Sequence, residues 1–161
     1  RAGAEGGTVI IHGRSEEHPR AAIVSALSMF ASDGFIENGR GHPRTSGTYA
    51  KVLGQYVRDE GVVDLMDALR RMTIEPARRL EPRVPAMAAK GRVAPGADAD
   101  LTIFDPATVG ARSTYEDATT PSAGIPWVIV AGQVVVDGGQ LTAARPGRAI
   151  RAPVAGATPG G

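Results

Sequence analysis

Ser28-Met29-Phe30-Ala31-Ser32-Asp33-Gly34 is the stretch on which the fold reading turns. Its first five residues form a short, largely apolar run of strand length, expected to be a buried strand. Asp33 closes the run. A glycine-rich polar loop from Gly34 to Gly47 follows and carries His42, Pro43 and Arg44. A carboxylate at the C-terminal end of a strand, just before a mobile loop, sits where α/β enzymes place catalytic groups. The same Asp33 also reads as a solvated loop opener, since Asp and Gly are ordinary loop residues.

Working upstream, Thr8-Val9-Ile10-Ile11-His12 is a β-branched run bounded by glycines, which predicts a strand. Ser15 can cap a helix, with Glu16 and Glu17 in its first turn, where negative charge suits the dipole. Ala21, Ala22, Ile23, Ala26 and Leu27 carry that helix to Ser28. Strand, helix and strand in this span predict a βαβ unit with parallel strands and a right-handed crossover.

Downstream, Tyr49, Val52, Leu53, Tyr56 and Val57 fall at i, i+3, i+4, i+7 and i+8, one apolar helical stripe, and Gly61 ends it as a C′ residue would. A second helix carries Val62, Leu65, Met66, Leu69 and Met72. Thr73 can cap a third, Ile74 to Leu80, with Pro76 in its first turn. From Glu81 the character changes. Pro82, Pro85, Gly91, Pro95 and Gly96 break helices, and Asp100 to Asp105 alternates like a strand stopped by Pro106. Trp127–Val130 and Gln133–Val136 flank Ala131-Gly132, the pattern of a tight hairpin. Residues 1–90 therefore read as one α/β part, 91–150 as a small all-β part, and 151–161, rich in Ala, Pro and Gly, as a disordered tail.

Composition narrows the function. With 18 Lys and Arg against 17 Asp and Glu, and no basic stripe, the chain does not read as a nucleic-acid binder. No apolar run approaches the roughly 18 residues of a membrane span. There is no Cys, which removes disulfides and thiolate metal sites and fits a reducing, cytoplasmic setting. The first residue is Arg1 rather than Met, which fits a start lying upstream. Gly3, Gly6 and Gly7 precede a strand rather than follow one, so they make no dinucleotide fingerprint.

Four stretches in order resemble one superfamily. Ser32-Asp33-Gly34 with His42-Pro43-Arg44 is similar to the last barrel strand and loop of the N-acyl-D-amino-acid deacylases (D-aminoacylases), a branch of the metal-dependent amidohydrolases. Met72 to Leu80 resembles the superfamily's T-x-x-P-A-x-x-L helix. Gly91 to Leu101, running into Phe104-Asp105-Pro106, resembles its entry into a β-sandwich, and Val128 to Val135 its V-x-V-N-G-x-x-V hairpin, with Ala131 for the usual Asn. The resemblance implies an α/β fold: the last two strands and helices of a (β/α)8 TIM barrel over 1–90, and the C-terminal half of a small composite β-sandwich over 91–150. A full barrel takes about 250 residues. The three histidines, His12, His18 and His42, include no His-x-His. The expectation is a C-terminal segment of a larger enzyme whose zinc is held mainly elsewhere.

By the same resemblance, Asp33 is the general base and acid, and a candidate metal ligand, in hydrolysis of a linear amide. A bound Zn²⁺ polarises the carbonyl and activates water, and the carboxylate relays a proton to the leaving nitrogen. Arg44 is expected to grip the carboxylate of a small N-acyl amino acid through parallel donors, or else to be a loop Arg in solvent. His42 is a candidate for supporting Asp33 or the substrate, or a structural His. His12 reads as a hydrogen-bonded strand-end His, His18 as exposed. Gly34, Gly39, Gly41 and Gly47 read as lid hinges or as flexible connection. Asp98 and Asp100 read as turn-forming. Two other readings stay open: a dihydroorotase-like cyclic amidase, and a non-catalytic scaffold that associates through exposed edges.

Overall fold

The computed structural model describes Ser15 and residues 17–153. The expected strand Thr8–His12, with His12 and most of the tail, lies outside the described residues. The fold is a mixture of helices and antiparallel sheet. The helices are α1 (Glu17–Val24), α2 (Arg44–Lys51), α3 (Leu65–Met72) and α4 (Ile74–Leu80). The strands are β1 (Ile36–Glu37), β2 (Arg40–Gly41), β3 (Leu101–Ile103), β4 (Trp127–Val130), β5 (Gln133–Asp137) and β6 (Gln140–Leu141).

The apolar stripe after Gly47 forms a helix, as expected, but it starts earlier and winds differently. It begins at Arg44 and continues beyond Lys51 as a π-helical segment, Val52–Asp59. Glu60 N–H closes that segment on the Gln55 carbonyl at 2.9 Å, and Gly61 follows with φ +61°. The stripe buries Val52, Leu53 and Tyr56 but leaves Tyr49 exposed. Val52 and Tyr56 pack with Ile23 of α1, Ala68 of α3, and Val63 and Phe30. Leu53 and Ala50 pack with Val109, Phe104 and Ile125, joining the helices to the segment between β3 and β4.

Four expectations are corrected. Ser28–Ser32 is extended but pairs with no strand among the described residues. Its one backbone bond to another element is Phe30 N–H to the Arg71 carbonyl, 3.3 Å. The Arg71 side chain serves the Ser28 carbonyl and hydroxyl. All described strand pairs are antiparallel; the expected parallel βαβ pairing needs Thr8–His12 and so lies outside the described residues. The expected loop Gly34–Gly47 contains the β1–β2 hairpin, turned through Asn38 (φ +50°) and Gly39 (φ +74°), and then the first turn of α2. Thr73 precedes α4 without capping it; its hydroxyl donates back to the Leu69 carbonyl, 2.7 Å. The second apolar stripe becomes helical only at Leu65, and Met66 stays exposed.

The β-rich part follows the sequence closely. β3, β4, β5 and β6 form one antiparallel sheet in that order. Ala131 (φ +47°) and Gly132 (φ +77°) make the tight turn between β4 and β5. Asp100 and Asp98 serve structure, as expected: Asp100 Oδ1 accepts the Ala131 N–H at 2.7 Å, and both carboxylates pair with Lys90. The Ala131 N–H and the Lys90 ammonium hold the Asp100 carboxyl below its ordinary range. No described helix is long and apolar enough to cross a membrane.

Candidate active site

The extended segment Ser28–Ser32 is held from behind by Arg71, a cation 1% exposed on the inner face of α3. Its Nε donates to the Ser28 carbonyl (2.8 Å) and its Nη1 to the Ile23 carbonyl (2.7 Å) and Asp67 Oδ2 (3.2 Å). Nη2 donates to the Ser28 hydroxyl, and the guanidinium lies 4.8 Å from the Phe30 ring centroid. The fork of donors thus anchors the start of the segment that leads to Asp33. Sequence reasoning missed Arg71. The available signal was a charged residue in register with the apolar face of a helix.

Asp33 takes φ +46°, a left-handed conformation that Asp and Asn tolerate better than other non-glycine residues. Gly34 then lies so close to the first turn of α2 that a Cβ there would collide with Thr45. The Thr45 hydroxyl donates to the Phe35 carbonyl at 3.1 Å, closing the hairpin segment against the helix. These contacts bring the first residue of α2 back beside the end of the extended segment. Arg44 Nη2 is 2.9 Å from Asp33 Oδ2. Two residues singled out in the sequence, 11 apart in numbering, therefore meet, although Arg44 sits on a helix and not in the loop where it was expected.

The pair faces water. The Asp33 side chain is 88% exposed and that of Arg44 40% exposed. Such a pair contributes at most about 1 kcal/mol, so either partner can exchange it for a better one. Arg44 also keeps its Nε buried without a hydrogen-bond partner. An orphaned buried donor is costly.

His42 has a structural task. Its Nδ1 accepts the Arg44 N–H at 3.1 Å and satisfies one of the open donors at the start of α2. That bond assigns the ring hydrogen to Nε2 when the imidazole is neutral. The ring meets Tyr115 edge-on, centroids 5.2 Å apart at 72°. His18 is exposed, as expected. The lid-hinge reading of the glycines is not supported at Gly34 and Gly47, which are wedged against Thr45 and Ser113 respectively; Gly39 sits in the hairpin turn.

Zinc does not fit these residues by themselves. Among the described residues no three His, Cys, Asp or Glu side chains converge on a point that could hold a metal ion. The near partner of Asp33 is itself a cation.

At the end of the extended segment, then, a water-facing carboxylate is paired with a partly exposed guanidinium. The chain belongs to the Amidohydrolase family, whose model matches residues 29–136. Among individual proteins it is similar to the N-acyl-D-glutamate deacylase of Alcaligenes xylosoxydans xylosoxydans, 39% identical over 144 residues, covering 88% of this chain and 28% of that protein. It is also similar to the D-aminoacylase of the same organism, 39% identical over 123 residues, covering 76% of this chain and 24% of that one. A crystal structure of N-acyl-D-glutamate deacylase from Bordetella bronchiseptica, complexed with zinc and a phosphonate mimic of the tetrahedral intermediate, superposes with a TM-score of 0.75 at 38% identity. That match covers 86% of this chain and 28% of the crystal chain. The chain thus spans about a quarter of the length of these relatives.

Proposed function

We propose that this chain supplies the Asp33–Arg44 corner of the active site of a deacylase that hydrolyses the linear amide of a small N-acyl-D-amino acid. In this reading residues 1–90 are the last two strands and helices of a (β/α)8 barrel. Residues 91–150 are part of a composite β-sandwich, and 151–161 are a tail. The reaction is zinc-dependent, as the ligand of the Bordetella relative suggests, with the metal held mainly by side chains beyond the described residues and Asp33 the group among the described residues that would face it. A cytoplasmic setting, suggested by the absence of Cys, belongs to the same proposal.

The chemistry divides between the two residues. The Asp33 carboxylate takes a proton from the attacking water as the new O–C bond forms. It returns that proton to the nitrogen as the C–N bond breaks, leaving a carboxylate and a free amine. Arg44 orients the substrate by its α-carboxylate, with the buried Nε as the reserved donor. The single observation that carries the reading is the 2.9 Å Asp33–Arg44 pair beside that unpartnered nitrogen. In the complete enzyme, assayed on N-acetyl-D-glutamate, Asp33→Asn should lower kcat by about 10²–10⁴-fold with KM little changed. Arg44→Lys should raise KM roughly 10-fold or more, because an ammonium cannot present two parallel donors. Wild-type kcat in the first variant, or wild-type KM in the second, would overturn the assignment.

A further inference from the structure

We propose that the turn from Ser113 to Thr120, which lies between β3 and β4, is a positioning brace for Arg44, with Tyr115 as its principal contact; the inference rests on Arg44 being the substrate-carboxylate clamp. The turn grips the two residues that lead into the clamp, His42 and Pro43, and the first turn of the helix that carries it. The Tyr115 ring abuts His42 edge-on at 5.2 Å. The Ser113 hydroxyl donates to the Pro43 carbonyl at 2.8 Å, 70 residues away in the chain. The Ser46 hydroxyl donates to the Ala118 carbonyl at 2.7 Å, and the Ser122 hydroxyl returns a bond to the Ser46 carbonyl at 2.8 Å. Gly47 has no Cβ because Ser113 Oγ would lie 2.6 Å and Ala111 Cβ 3.0 Å from it, so the turn and α2 approach as closely as a glycine allows.

The brace is itself stiff. The Asp117 N–H donates to Thr114 Oγ1 at 3.1 Å and the Thr114 N–H to the Asp117 carbonyl at 3.0 Å. The Asp117 carboxylate accepts the Thr119 N–H and the hydroxyls of Thr119 and Thr120. Ala118 is buried at 2% exposure. A stiff turn pressed on His42 fixes the ring that caps Arg44, and a bond to Pro43 fixes the backbone from which the guanidinium springs. The outcome is a clamp whose position is set from the sandwich side of the molecule. Bidentate recognition tolerates little misplacement, so loosening the brace should appear as lost carboxylate binding before any loss of chemistry.

The test uses the complete enzyme with N-acetyl-D-glutamate, read as KM against kcat. Tyr115→Ala should raise KM about 10-fold with kcat within about 3-fold of wild type. Tyr115→Phe, which keeps the ring on His42, should restore KM. Tyr115→Leu, which preserves apolar volume and guards against a misfolded Ala variant, should still raise KM. Ser113→Ala should raise it by about 3-fold. A merely structural role would cut the active fraction, lowering kcat and leaving KM alone, and that result overturns the proposal, as does a wild-type KM in Tyr115→Leu. If Arg44→Lys itself leaves KM unchanged, the clamp reading fails, and the brace falls with it for a distinguishable reason.

Discussion

Two residues with positive φ carry different lessons at the residue scale. Asp33 (φ +46°) adopts a left-handed backbone next to Gly34, where glycine would be the easier occupant. Asp, like Asn, tolerates that region better than other L-residues because its short polar side chain can bond locally. Ala131 (φ +47°) occupies the first central position of a two-residue hairpin turn, where Asn is preferred because its short polar side chain tolerates the left-handed region. Nothing about Ala131 touches the Asp33–Arg44 pair. Ala131→Asn should therefore raise stability by about 1 kcal/mol, seen as a higher thermal midpoint of the complete enzyme, with kcat and KM unchanged. The Ala131-Gly132 turn was legible because turn chemistry is local. The backbone of Asp33 was not, because its conformation depends on how α2 packs against Gly34.

At the scale of elements, Arg71 anchors one end of a run of strand-like composition. The run Ser28–Ser32 has the apolar character of a buried strand, yet the donors to the Ser28 carbonyl and hydroxyl come from a helix side chain. Periodicity reports which residues want burial; it does not report which hydrogen-bond partner arrives. Removing the fork leaves the carbonyls of Ile23 and Ser28 without their donors. Arg71→Met should cost about 3 kcal/mol in denaturant unfolding, and Arg71→Lys should recover only part of that, since one ammonium cannot reach both carbonyls in the same plane. The start of α2 was hidden for a related reason. Pro43 and Arg44 offer no Ser, Thr, Asp or Asn cap, and the cap comes instead from the ring of His42. The β1–β2 hairpin did leave a signal, Asn38-Gly39, but it lacks flanking alternating apolar residues that would have drawn attention to it. The π-helical winding of Val52–Asp59 has no comparable signal in the sequence.

At the scale of the molecule, the described residues expose apolar surface that their own fold does not cover. Leu27 is 95% exposed, Val93 88%, Leu141 76%, Met66 73% and Val24 66%. Strand β3 also has a free edge among the described residues, being paired only with β4. Expressed by itself, this segment should self-associate at micromolar concentration, which sedimentation would show as species heavier than the monomer; a monodisperse monomer would contradict the expectation. What the sequence determined unaided was the mixed α/β character, the helical stripe, the β4–β5 hairpin and the family, because periodicity, turn residues and ordered motifs are local or linear properties. It also nominated Asp33, His42 and Arg44 as one group. Only the tertiary structure decided that Asp33 and Arg44 pair at 2.9 Å, that His42 caps the helix carrying Arg44, and that Arg71 and Tyr115 stand behind them. Those contacts join residues up to 73 positions apart (Tyr115 and His42), and hydrogen bonds and ring contacts over such separations are set by how elements pack, a quantity that no short window of sequence contains.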